Sequence, residues 1–167
     1  MTQRRRDRPK KLLPAYLVGL TDGEGCFYVN FRPSRAKIKR QPKVELHFYL
    51  KLRGDHLLLL EKVKKAFGCG AIYHQKEKRE NHSECYRFEI NSRNDIKNFL
   101  LPFFDQNPLQ GSKLKDYKIF KKIATIVFSQ KLNAKNLVKI KRLKSEMNLG
   151  VRRVWKIRLL GGNVKER

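Results

Sequence analysis

The sequence predicts an α+β domain built on a four-stranded antiparallel sheet. Three observations predict it. Residues 27–32 and 43–51 alternate apolar and polar side chains with period two, and a helical pattern follows them. The same strand–strand–helix order recurs from 71 to about 104. An apolar helical segment precedes the first block, and two amphipathic helices follow the second. Four such strands have one greasy face under helices and one polar face open to a partner.

The elements run in order. Residues 12–22 form the leading helix, with Pro14 suited to a first turn and Gly23 and Gly25 as its end. In the first strand Phe27, Val29 and Phe31 oppose Tyr28, Asn30 and Arg32. In the second, Val44, Leu46, Phe48 and Leu50 oppose Lys43, Glu45, His47, Tyr49 and Lys51. A basic link bounded by Pro33 and Pro42 makes a long hairpin loop between them. Asp55 is placed to cap a helix over 56–67, which Gly68-Cys69-Gly70 stops. A strand near 71–77, a turn near 79–83 and a strand at 85–91 follow. Ser92-Arg93-Asn94-Asp95 resembles a capping box for a helix reaching about Phe104. Helices at 113–129 and 134–148 complete the domain, the last opened by Asn133 and stopped by Gly150.

The chain has 167 residues and a net charge of +25, with 40% hydrophobic residues. That hydrophobic content is too high for a disordered basic tail. No apolar run approaches the roughly 18 residues of a membrane span. A strongly cationic domain is relieved by a polyanion, and nucleic acid is the leading candidate. A membrane surface is the weaker one, because the charge is spread along the chain. Three domains of charge are expected: a basic N-terminal arm (1–11), the folded domain (12–150) and a basic C-terminal arm (151–167). The first arm either touches phosphate or is merely solvated. Cys26, Cys69 and Cys85 form no C-x-x-C pair, so neither disulfides nor a zinc knuckle is indicated. His47, His56, His74 and His82 lack metal spacing. An intracellular setting without a signal peptide fits.

The most specific segment is Leu17-Val18-Gly19-Leu20-Thr21-Asp22-Gly23-Glu24-Gly25. Gly19 and Gly23 are four apart and share one helix face, where missing side chains let another helix come close. Asp22 and Glu24 stand at the C-terminal end, where the helix dipole is already negative. A cation resolves that conflict, and hard carboxylate and carbonyl oxygens suit Mg²⁺.

This segment resembles the LAGLIDADG motif, and the chain resembles single-motif LAGLIDADG homing endonucleases over roughly residues 12–148. Val18, Thr21, Gly23 and Glu24 replace the consensus residues, the last keeping the carboxylate. The resemblance implies an αββαββα fold and a site-specific double-strand DNA endonuclease acting on a long, pseudo-palindromic target. It implies that Glu24, with the Gly23 carbonyl beside it, holds a divalent ion, and that Asp22 is a weaker catalytic candidate. It implies a homodimer packed through Leu17, Gly19, Leu20 and Gly23, because one motif supplies one acidic site. Pro108-Leu109-Gln110-Gly111-Ser112-Lys113 resembles the family segment that carries a basic residue. Lys113 then either polarises the attacking water or simply meets phosphate. Leu52 stands where relatives carry a polar residue, so Lys51 or Arg53 substitutes there, or the strand bulges. An organelle, chloroplast or mitochondrion, is the implied setting.

The polar strand faces are the expected reading surface for double-stranded DNA: Tyr28, Asn30, Arg32, Lys43, Glu45, His47, Tyr49, Lys51, Tyr73, Gln75, Arg87 and Glu89. Glu45 and Glu89, on a basic face, are expected to accept from cytosine. Arg35, Lys37, Lys39, Arg40, Lys135, Lys139, Lys141 and Arg142 are expected to hold phosphate. Two other functions remain open at this point: a maturase binding intron RNA on the same scaffold, and a non-enzymatic basic nucleic-acid module.

Overall fold

A computed structural model describes residues 12–32, 43–76, 83–129 and 132–148. The elements are α1 (Pro14–Glu24), β1 (Gly25–Arg32), β2 (Lys43–Arg53), a 3₁₀ turn (Gly54–His56), α2 (Leu57–Phe67), β3 (Ala71–Gln75) and β4 (Cys85–Ile90). Then come α3 (Arg93–Asp95), a π turn (Ile96–Leu100), α4 (Leu101–Gln106), α5 (Lys113–Ser129) and α6 (Ala134–Ser145). The strands form one four-stranded sheet in the order β1-β2-β4-β3. The expected α+β class and strand–strand–helix repeat are therefore present. Both basic arms, the 33–42 link and the turn near 79–83 lie wholly or largely outside the described residues.

Among the described residues, those up to Cys26 and from Phe48 to Leu109 form one compact unit. Those from Phe27 to His47 and from Gln110 onward form the other. The two units alternate along the chain, with β1 and β2 each divided between them.

The first unit is built around Phe67. Its ring lies 4.9 Å from Phe103, 5.8 Å from Phe88 and 5.9 Å from Phe48. Leu50, Leu60, Val63, Ile90, Ile96 and Leu100 are fully buried in the same unit. β2 pairs antiparallel with β4 from Phe48↔Ile90 to Arg53↔Cys85, and β3 pairs antiparallel with the other edge of β4. Gly70 opens β3 at φ +85°, and a Cβ there would come within 2.7 Å of the Phe88 ring, so only glycine fits. The second unit buries Phe27, Val29, Val44 and Leu46 with Phe120, Ile123, Ala124 and Ile140. Phe27 meets Tyr117 at 5.5 Å and Phe120 at 5.3 Å between ring centroids. The Asp116 carboxylate accepts the Asn148 backbone N–H at 2.8 Å and ties α5 to the segment after α6.

Two expected caps are present. The Ser92 hydroxyl accepts the Asp95 N–H, and the Asn133 side chain accepts the Asn136 N–H at 2.8 Å. The third is not. Arg53, two residues earlier, takes the Asp55 carboxylate through Nε and Nη2, and α2 starts behind His56 without a side-chain cap. The helix expected to reach Phe104 contains a π turn in which the Leu101 N–H bonds the Ile96 carbonyl. Pro102 is the cause: it has no N–H for the carbonyl four residues back, and its ring would clash there. α6 ends at Ser145, before Gly150.

Candidate active site and nucleic-acid interface

α1 carries the first set of candidates. Pro14 starts it, and Leu17, Val18 and Thr21 are buried. The helix does not stop at Asp22 as expected but runs through Gly23 to Glu24. Gly25 then turns the chain into β1, its N–H donating to the Thr21 carbonyl. A Cβ on Gly25 would lie 2.6 Å from that carbonyl, so the sharp exit behind Glu24 requires glycine. Glu24 is exposed and Asp22 half-buried. The carbonyls of a last helical turn have no donor ahead of them, so Gly23 and Glu24 present backbone oxygen next to carboxylate. α1 has no basic residue in its last turn to balance these acids.

The opposite face of α1 explains its glycines. Among the described residues, nothing lies within 4 Å of a Cβ built on Gly19 or Gly23. Leu13 is 71% exposed, and Tyr16, about one turn before Gly19, is 48% exposed. Leu20 is half-buried. Leu17, expected at a contact with a second copy, is 2% exposed and committed to its own core. The open row is Leu13, Tyr16, Gly19, Leu20 and Gly23. Tyr16 was legible as a member, because it precedes Gly19 by three and Leu20 by four.

Lys113 opens α5 and is half-buried. The Gly111 and Ser112 carbonyls accept from Leu114 and Lys115 in the turn that starts the helix. A lysine at the positive end of a helix is unfavourable, so Lys113 carries the mirror image of the conflict at Glu24. Leu52 is half-buried within β2, and the β2–β4 register runs unbroken from Phe48 to Arg53, so no bulge offers a polar side chain in its place. Arg53 is held by Asp55, and Lys51 is exposed on the same strand. The Arg53 guanidinium bonded to Asp55 holds that carboxyl below its usual range, against a smaller push upward from burial.

The strand residues fall into two networks, one in each unit. In the second unit Glu45 is the hub. It accepts Asn30 Nδ2 at 3.1 Å, Arg32 Nη2 at 2.6 Å and Lys43 Nζ at 3.4 Å. Burial pushes the Glu45 carboxyl up, but the bonds from Asn30 and Lys43 and the charges of Arg32 and Lys43 outweigh it and hold the carboxyl low. Tyr28 is 40% exposed, and its ring lies 5.9 Å from His47. Lys144 of α6 sits 5.3 Å from both the Tyr28 and Phe31 rings. A cavity of about 410 Å³ is lined by Tyr28, Phe31, Lys141 and Lys144 among others. Lys144 escaped the sequence reading; its spacing of three from Lys141 was the available signal.

In the first unit Tyr73, Arg87 and Lys51 lie in one row across β3, β4 and β2. Ala71, Glu89 and Tyr49 form the next row. Arg87 Nη2 contacts Glu89 at 2.9 Å. Tyr73 is exposed, Gln75 half-buried and Lys51 exposed. Glu89 is only 6% exposed. Glu45 and Glu89, expected to accept from cytosine, are each engaged by an arginine of their own network. Among the described residues no group of three or more His, Cys, Asp or Glu forms a ready metal cluster.

The comparisons with known proteins agree with this geometry. The LAGLIDADG endonuclease family model matches residues 17–124, and the chain belongs to that family. A probable intron-encoded endonuclease 2 of Neurospora crassa is 33% identical over 140 residues, 81% of this chain and 28% of that protein. A probable intron-encoded endonuclease Cox1-I1b of Schizosaccharomyces pombe is 32% identical over 71% of this chain and 29% of that protein. The chain thus spans less than a third of these curated relatives. Among solved structures, the I-LtrWI homing endonuclease bound to target DNA superposes with TM-score 0.72 at 30% identity, over 88% of this chain and 48% of that one. The homing endonuclease I-TnaI gives 0.70 at 31% identity, over 92% of this chain and 100% of that one.

Proposed function

We propose that this chain is a site-specific DNA endonuclease that uses a divalent cation, Mg²⁺, and acts as a homodimer on a long, pseudo-palindromic duplex. The observation that carries the reading is the exposed Glu24 carboxylate at the C-terminal end of α1, on the helix whose Gly19–Gly23 face is open. The donor set fits Mg²⁺, which is commonly held by one or two carboxylates with substrate phosphate and water completing its shell. When bound, the ion supplies an activated water and charge neutralisation at the phosphate.

The remaining parts follow from the chain's own residues. Glu24 positions the ion with the Gly23 carbonyl, and Asp22 adds charge at the same helix end. Lys113 offers a phosphate a positive charge. For this chain acting by itself, the second carboxylate comes from a second copy joined along Leu13, Tyr16, Gly19, Leu20 and Gly23. The I-TnaI match, which spans that whole chain, supports a protomer of this size. The matches to intron-encoded endonucleases support a role in the mobility of a host intron. The test is selection from a randomised duplex library with Mg²⁺ present, followed by sequencing of the cut ends. The reading predicts one defined, roughly two-fold symmetric site; random ends, or no ends, contradict it.

A further inference from the structure

We infer that Arg87 is a fixed guanine-reading side chain and that Glu89 is its positioning residue. The inference rests on the proposed DNA-binding function and names which residue sets specificity at one base pair in each half of the target. The Arg87 guanidinium lies 5.5 Å from the centroid of the Tyr49 ring and 6.0 Å from that of Tyr73. Its Nη2 is bonded to Glu89 at 2.9 Å. Two rings and one carboxylate remove the rotational freedom that a surface arginine keeps, and a planar fork loses less freedom on binding when it is already fixed.

The fork is held but not used up. Arg53, two strand positions beyond Lys51, gives both Nε and Nη2 to Asp55. Arg87 meets Glu89 through Nη2, and its side chain stays 33% exposed. Nε is buried and unbonded. A cation faces a cation across the ladder, because Lys51 pairs directly with Arg87. Like charges opposite one another destabilise a sheet, and an orphaned buried N–H does the same. A purely structural arginine would not be placed so. An anionic duplex relieves the repulsion, and the guanine edge, with O6 and N7 acceptors, suits an exposed guanidinium edge.

The experiment measures binding of the full chain to its selected duplex, with each base pair replaced in turn, beside an unrelated duplex of equal length. Wild-type protein is expected to prefer G·C at one position in each half by about 10- to 100-fold. Arg87→Ala erases that preference. Glu89→Gln reduces it to within about threefold, while affinity for the unrelated duplex and preferences elsewhere hold. Tyr73→Ala, at an exposed ring, reduces it in the same way, and Tyr73→Phe restores it. Tyr73 keeps the test decisive if Glu89→Gln does not fold. A loss spread evenly over all positions, or a change in melting temperature alone, overturns the inference. A wild-type protein without any base preference overturns the DNA-reading function together with it; strong preferences that ignore these variants overturn the inference alone.

Discussion

Arg32 Nη2 and Glu45 are 2.6 Å apart, and the same carboxylate also takes Asn30 and Lys43. Folding therefore prefers the ionised form of Glu45. The stability it contributes is present in full above the ordinary glutamate range and is lost as pH falls through the lower folded value. Arg32 is 44% exposed, so solvent screens part of the pair. Glu45→Gln is expected to cost about 1 kcal/mol at pH 7. Urea unfolding at pH 7 and pH 3 checks this: the two proteins should differ at pH 7 and converge at pH 3. A gap that stays constant with pH contradicts the assignment.

Gly19 separates folding from assembly. With no described residue within 4 Å of its missing Cβ, Gly19→Ala should stabilise the protomer by about 0.5–1 kcal/mol through helix propensity. Gly19→Leu should fold as well, yet block close approach of a second α1. Thermal unfolding and light scattering read the two effects: a folded monomer, without cleavage, is expected from Gly19→Leu. An intact dimer from that variant contradicts the interface.

Phe67 tests the first unit's core. Four rings, of Phe48, Phe88, Phe103 and Phe104, lie between 4.9 and 6.2 Å from it. Phe67→Ala should cost about 3–5 kcal/mol in urea unfolding, enough to unfold a marginal domain. A loss below about 1 kcal/mol would place the core elsewhere.

Much of the fold was legible because period and capping are local properties. The alternation of Phe48 and Leu50 with Tyr49 and Lys51 gave the face of β2, and Ser92 and Asn133 gave two helix starts. What escaped was decided by competition. Asp55 is a competent cap, but Arg53 captures it two residues away. Gly23 reads as a helix stop, yet a glycine in the last turn is tolerated when Gly25 makes the exit. Leu17 and Gly19 are neighbours in sequence but point to different sides of α1, one to the core and one outward. Glu45 and Glu89 were seen as polar positions on strand faces, which is right. That they hold Arg32 and Arg87 depends on cross-strand and same-face neighbours that spacing alone does not fix. The candidacy of Lys113 came only through family resemblance.

The central claim is that the Glu24 carboxylate performs the chemistry and does not merely end a helix. Glu24→Gln keeps the shape of the side chain and removes its charge. Cleavage and binding of the selected duplex, measured side by side in Mg²⁺, test the claim most directly. Glu24→Gln is expected to leave no cut or nicked strand and a duplex affinity close to wild type. Nicking at the wild-type rate by Glu24→Gln would contradict it.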